Sequence, residues 1–260
     1  MPQQIYDRFI RIKGLRINYV KIGEGKKNLI VLPGGAGPVH FYLWIINARL
    51  AREYTAYFLN PPGFGRSNPA PQPWGVVYGL EFLDEFIEKM CIKRLTIFGH
   101  SMGGALAASY AAEYPSKVEK LILCSPLGLN PYTLGAQRLA GIFRNKFCNK
   151  QYFYLIKNIT LKYGPQMILR LLTPRMLKTF NLWTKTDFRP YFQKIMCETV
   201  LIWGDQDTSS GTSFEHFHEL KRLIPHCHAV QVRGSEHGLP ITEPMRFQSI
   251  LIAYMPFLQS

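Results

Sequence analysis

Ser101 stands at the centre of Gly99-His100-Ser101-Met102-Gly103, a G-x-S-x-G run. A serine hydroxyl is a weak nucleophile until a neighbouring base takes its proton and an acid orients that base. The flanking residues put this serine where it could be used. Leu95-Thr96-Ile97-Phe98 reads as a short buried strand, and Gly104-Ala105-Leu106-Ala107-Ala108-Ser109-Tyr110-Ala111-Ala112 reads as a small-residue helix. Strand, sharp turn and helix make a nucleophile elbow, which strains the serine and exposes its hydroxyl at the strand end. Glycines are needed on both sides because a Cβ there would strike the neighbouring strand and helix.

The base must come from His40, His100, His216, His218, His226, His228 or His237. His100 lies inside the turn and is expected to point away from Ser101. His216 and His218 fall on a surface helix, and His226 and His228 precede or begin a strand. His237, in Gly234-Ser235-Glu236-His237-Gly238, lies in the loop after the last strand and is the expected base. Acid candidates follow the apolar run Thr199-Val200-Leu201-Ile202-Trp203, in Gly204-Asp205-Gln206-Asp207. Both aspartates sit at a strand's carboxyl end, where the sites of open α/β sheets gather. One would be the orienting acid and the other a turn residue bonded to its own backbone. An oxyanion needs two converging backbone N–H groups. Met102, at the start of the elbow helix, is expected to supply one, and Gly35 in the Gly34-Gly35-Ala36-Gly37 loop the other.

The rest of the chain supplies the elements that position these residues. Phe9–Lys13 and Leu15–Ile22 alternate around Gly14 as an edge hairpin. Asn28–Leu32, Thr55–Leu59 and Val118–Cys124 read as buried strands, with a loop at Pro33–Pro38 and helices over Phe41–Ala51 and Val76–Met90. A helix over Phe214–Leu223, a strand over Ala229–Val232 and a helix over Met245–Met255 follow the Thr199–Trp203 strand. Strands alternating with helices predict a mainly parallel sheet covered on both faces. Leu127–Lys194 breaks the alternation: it holds no convincing strand. Its apolar residues fall at helical spacing, as in Leu139, Phe143 and Phe147, in Phe153, Ile156 and Tyr163, and in Ile168, Leu171 and Leu172.

With 260 residues, 47% hydrophobic and 18% charged, the composition is that of a folded globular chain. Its start lacks a signal-peptide layout and no apolar run is long enough to span a bilayer, so a cytoplasmic protein is expected. Cys91, Cys124, Cys148, Cys197 and Cys227 are scattered without a C-x-x-C pair, which argues against a zinc site or a disulfide framework.

The motifs together resemble the α/β-hydrolase superfamily over nearly the full chain. Pro33-Gly34-Gly35-Ala36-Gly37 is similar to its H-G-G-P-G oxyanion loop, and Asn60-Pro61-Pro62-Gly63-Phe64-Gly65-Arg66-Ser67 to its D-x-P-G-x-G-x-S loop. Gly99–Gly103 matches the elbow, and Gly204–Asp207 matches the G-x-x-D acid turn, which implies Asp207 rather than Asp205. Pro33 and Asn60 replace the family's histidine and aspartate, residues that normally support loop structure. A serine nucleophile argues against the dehalogenase and epoxide-hydrolase branches. The resemblance implies an eight-stranded, mainly parallel sheet with helices on both faces. Its core would comprise residues 1–126 and 195–260, and residues 127–194 would form a helical cap over the pocket.

The implied activity is that of a serine hydrolase acting on a small-molecule carboxylic ester with an apolar acyl group. Carboxylesterase or monoacylglycerol-lipase-like chemistry leads, through Ser101, Asp207 and His237, with no metal or organic cofactor. A C–C bond hydrolase or a proline-iminopeptidase-like aminopeptidase is the alternative. The aminopeptidase should carry cap acids for a substrate amine. A ligand receptor on the same fold, or a membrane-bound interaction protein, are readings from other classes. The chain carries a formal net charge of +14, and between Leu127 and Lys194 twelve Lys and Arg face the single acid Asp187. Interleaved with aromatics, this excess suits a solvated rim over an apolar pocket, contact with an anionic membrane, or an anionic substrate. No base-reading motif accompanies it, which argues against nucleic acid.

Overall fold

A computed structural model of the chain describes residues 6–35, 37–129, 157, 161, 169–170, 173–209 and 211–254. Among them are the strands β1 (Asp7–Ile12), β2 (Leu15–Ile22), β3 (Lys27–Leu32), β4 (Tyr54–Leu59), β5 (Leu95–His100), β6 (Val118–Cys124), β7 (Glu198–Gly204) and β8 (Cys227–Val232). They form one sheet in the order β1-β2-β4-β3-β5-β6-β7-β8. β1 and β2 make the expected edge hairpin. Lys13 (φ 47°) and Gly14 (φ 75°) turn it with two positive φ angles, which matches strand twist. β2 also runs antiparallel to β4, and every pairing from β4 to β8 is parallel.

Parallel pairing covers both faces of the central strands, so the period of two sorts apolar residues between two cores rather than between core and water. Ile30, Leu32, Ile97, Leu121, Leu123 and Leu201 face one side, and Leu29, Val31, Phe98, Ile122, Val200 and Ile202 the other. Helices α2 (Val76–Lys89) and α3 (Met102–Glu113) cover the first face. A 3-10 turn (Val39–Ile45), α1 (Ala48–Glu53) and α8 (Pro244–Tyr254) cover the second. Helix α3 is buried nearly all round, and its Gly and Ala residues let the sheet and α2 approach closely.

Two local expectations need correction. The single helix over Phe41–Ala51 is two pieces: Ile46 and Asn47 are extended, and the Asn47 side chain accepts the Leu50 N–H at 2.9 Å. Asparagine caps a helix better than it continues one. The short helix α7 (Leu239–Thr242) was not anticipated; it begins with Pro240 in its first turn, where a missing N–H costs nothing.

Between β6 and β7 the chain leaves the sheet. The helical spacings at Leu139–Phe147, Phe153–Tyr163 and Ile168–Leu172 rest mainly on residues outside the described ones, as does Cys148. The described part holds α4 (Pro174–Lys185) and α5 (Arg189–Gln193), before α6 (Glu215–Leu223) further on. Helix α4 drives Met176 and Trp183 into the core; Trp183 meets Trp74 edge-on at 5.5 Å and stacks on Phe188 at 5.7 Å. No helix among the described residues is long and apolar enough to cross a membrane.

Candidate active site

The sheet order sets the place of chemistry. The chain steps outward from β3 to β4, then crosses back to put β5 on the other side of β3. Loops leaving β3 and β5 therefore diverge at the carboxyl edge and leave a crevice. Leu32 pairs with Gly99, so the Pro33–Pro38 loop starts beside the G-x-S-x-G turn. Gly204 pairs with Val232, so the loops bearing Asp207 and His237 also leave side by side.

Ser101 has φ 53° and ψ −118°, a strained conformation for a residue with a Cβ. Its N–H donates to the Cys124 carbonyl at 3.0 Å, which ties the turn to β6. The glycine requirement is visible in space. A Cβ on Gly99 would lie 2.7 Å from Gly104 Cα, and one on Gly103 would lie 2.6 Å from the Leu32 carbonyl oxygen. Gly34, in the loop after β3, abuts Ser101: a Cβ there would lie 3.2 Å from Ser101 Cβ. A Cβ on Gly35 would lie 3.9 Å from Met102 Cβ and 3.2 Å from the Phe180 ring of α4. Gly35 and Met102 thus sit side by side with Phe180 against them.

Asp207 is buried and its Oδ2 lies 2.9 Å from His237 Nδ1. Its Oδ1 accepts the Ser209 N–H at 3.0 Å, and Thr212 Oγ1 lies 3.1 Å from the same His237 nitrogen. Burial alone would raise the Asp207 carboxyl. The charge and hydrogen bond of His237, with the Ser209 N–H, override burial and hold it below its ordinary value. Asp205 is only partly buried and works in the turn, accepting the Gly234 N–H at 2.8 Å and the Gln231 amide at 3.2 Å.

His100, which sequence reasoning left without a task, joins three parts of the site. His100 Nε2 lies 2.8 Å from the His237 carbonyl oxygen. That oxygen can only accept, so Nε2 carries the proton and Nδ1 is an acceptor. Nδ1 then accepts a hydrogen bond from the Tyr42 hydroxyl at 2.7 Å, and the Tyr42 oxygen accepts the Gly34 N–H at 3.0 Å. One relay of hydrogen bonds therefore links the loop after β3, the elbow and the backbone of the His237 loop. The His100 and His237 rings pack with centroids 4.7 Å apart, which brings His237 to the residue before Ser101. A buried histidine ending an otherwise apolar strand needs partners, and that was the available signal.

A second cluster braces the far end of the loop after β3. Asp7 Oδ1 lies 2.9 Å from His40 Nε2 and accepts Asn18 Nδ2 at 2.9 Å, while its Oδ2 accepts Arg66 Nη1 at 2.8 Å. Asn60, at the position of the family's aspartate, donates to Asn18 Oδ1 at 2.6 Å and accepts the Val39 N–H at 3.0 Å. The replacement thus keeps a loop-supporting role.

Among known proteins, the family model described as the alpha/beta hydrolase fold matches residues 27–175. The chain is 34% identical over 191 residues to abhydrolase domain-containing protein abhd-5.2 of Caenorhabditis elegans, covering 68% of this chain and 42% of that one. It is 26% identical over 220 residues to the 2-hydroxy-6-oxo-6-phenylhexa-2,4-dienoate hydrolase of Comamonas testosteroni, covering 74% of each. The chain spans half or less of the first curated relatives it matches. Among solved structures, the enol-lactonase of Burkholderia xenovorans LB400 superposes with a TM-score of 0.80 at 16% identity, over 96% of this chain and all of that one. With the eight-stranded sheet and the elbow on β5, the chain belongs to the alpha/beta hydrolase fold family.

Proposed function

We propose that this chain is a serine hydrolase that cleaves carboxylic esters through an acyl-enzyme on Ser101. One observation carries the reading: a strained serine at the elbow follows His100, whose ring packs 4.7 Å from that of a histidine whose Nδ1 lies 2.9 Å from a buried carboxylate. In this reading Ser101 Oγ attacks the acyl carbon while His237 Nε2 takes its proton. Asp207 holds the imidazole tautomer and stabilises the cation that forms. The negative oxygen of the tetrahedral intermediate sits between the Met102 and Gly35 N–H groups. The Gly34 N–H is committed to Tyr42, which leaves this task to the loop's next amide. His237 returns the proton to the leaving alcohol. A water, deprotonated by His237, then attacks the acyl carbon, and Ser101 leaves with its proton restored.

Ester rather than aminopeptide chemistry is favoured by charge. The segment between β6 and β7 contains one acid, Asp187, and this is paired with Arg189 at 3.1 Å. A substrate amine therefore finds no open carboxylate there. Phe180 and Phe64, packed edge to face at 6.1 Å, provide an apolar wall beside Gly35 for the acyl chain.

The test is hydrolysis of p-nitrophenyl esters from acetate to palmitate, with Ser101→Ala in parallel. Turnover that disappears in the variant supports the mechanism, and the chain-length profile sizes the acyl pocket. Absence of turnover at every length overturns the ester reading and favours C–C bond hydrolysis or a receptor.

A further inference from the structure

A concavity of about 520 Å³ lies beside the start of α4. Its wall is Gly63, Pro69, Pro73, Pro174 and Met176; its cations are Arg170, Arg175 and Lys178. All three cationic residues are exposed, and Arg175 is steadied by donating to the Ala70 carbonyl at 3.1 Å. None of them takes part in an ion pair among the described residues. The residues outside the description include no Asp or Glu, so no carboxylate side chain there can neutralise the cavity either. Three like charges around one concavity repel one another, and a multivalent anion relieves that repulsion.

The position relates this cavity to the elbow. Met176 lines it and reaches Gly63, while Phe180, four residues on along the same helix, lies against Gly35 and Phe64. Four residues of α-helix rise about 6 Å. The cationic cavity is thus roughly one helical turn from the wall of the proposed acyl site.

The geometry points to this cavity as a subsite for a phosphate group on the ester substrate; the assignment rests on the hydrolase reading above. A carboxylate would offset one of the three cations. A phosphate monoester, with a charge of about −1.5 to −2 near neutral pH and three acceptor oxygens, answers two forked guanidinium groups and a lysine better. The substrate class is then a phosphorylated alcohol ester, with a short linker between its acyl carbonyl at Ser101 and its phosphate at Arg170, Arg175 and Lys178.

The experiment compares a 1-acyl glycerol with its 3-phosphate, in wild type and in Arg170→Gln/Lys178→Gln. Arg175 is left in place because it supports the Ala70 backbone. The readout is the ratio of kcat/KM for the phosphorylated ester to that for the neutral one. Wild type is expected to favour the phosphate, and the ratio to fall roughly tenfold or more in the double variant, as loss of charge-assisted bonds implies. The preference should also shrink with added salt. Equal ratios in both proteins overturn the subsite. Inorganic phosphate that binds while the ratio stays flat shows a free-anion site and overturns the substrate assignment. Double-variant loss of binding to phosphatidylserine vesicles with an unchanged ratio shows a membrane-facing patch and likewise overturns it. If neither ester turns over, the hydrolase reading fails. The subsite is then decided by titrating wild type and double variant with a non-hydrolysable ether analogue of the phosphorylated ester, where equal affinities overturn it.

Discussion

The molecule contains two aspartate–histidine pairs of nearly the same geometry, Asp207 with His237 and Asp7 with His40, each 2.9 Å apart. In both, burial pushes the carboxyl up, and hydrogen bonds with the histidine's charge hold it below its ordinary value, well below in Asp7. What differs is the surroundings. Asp7 is also held by Asn18 and Arg66, and the His40 side chain is 5% exposed. The His237 side chain is 21% exposed, and it packs on the residue before Ser101. The first pair anchors the stretch after the β3 loop, and the second has an imidazole edge left open, as the proposed chemistry requires. In that proposal the place of a pair on the sheet edge, not its residue types, decides its task.

Substitutions should separate the two pairs, beginning with the largest effect. Asp207→Asn should leave the fold intact and lower kcat by about 10⁴, because the amide stabilises the wrong imidazole tautomer. A Tm within a few degrees of wild type, beside that loss in the ester assay, is the expected result. His100→Phe keeps a ring but cuts the relay between Gly34, Tyr42 and the His237 carbonyl. Its kcat is expected to fall about 10- to 100-fold with a smaller change in KM, since misplaced groups of this kind cost about 10²-fold.

Asp7→Asn reverses the balance: stability falls by about 1–3 kcal/mol, as when a part-buried carboxylate loses its charge-assisted hydrogen bonds, while kcat/KM changes less than about tenfold. The effect carries a pH signature. The folded-state carboxyl titrates well below the ordinary aspartate range, so its stabilisation is complete above that range and is lost as pH falls towards the folded value. Denaturant midpoints of wild type and variant should therefore differ most near neutrality and converge in acid. The smallest effect is expected for Asp205→Asn, a partly exposed turn residue, whose denaturant midpoint should stay close to that of wild type.

Much of this was legible from residue order. The turn at Ser101 was readable because its glycines, the apolar strand before it and the small-residue helix after it all answer to one steric demand. His237 stood out by its place after the last strand. The choice between Asp205 and Asp207 came from likeness, since both follow β7 within three residues; the deeper burial of Asp207 appears only when β8 and its loop pack against them. His100, Tyr42 and Asp7 were missed for a common reason. Their partners lie 137, 58 and 33 positions away in sequence, and periodicity reports faces of elements rather than meetings between distant loops. Tyr42 was hidden further by the apparent helix over Phe41–Ala51, which Asn47 divides.

The positive φ of Ser101 sets reactivity against durability. A serine held there stores backbone strain of about 1–3 kcal/mol, which the rest of the fold must offset. Glycine would accept the same angle freely, so Ser101→Gly should yield an inert protein that melts higher than the active one. Screens that select this chain for thermal resistance alone would then drift towards losing the nucleophile, and any stabilisation campaign has to keep turnover under selection.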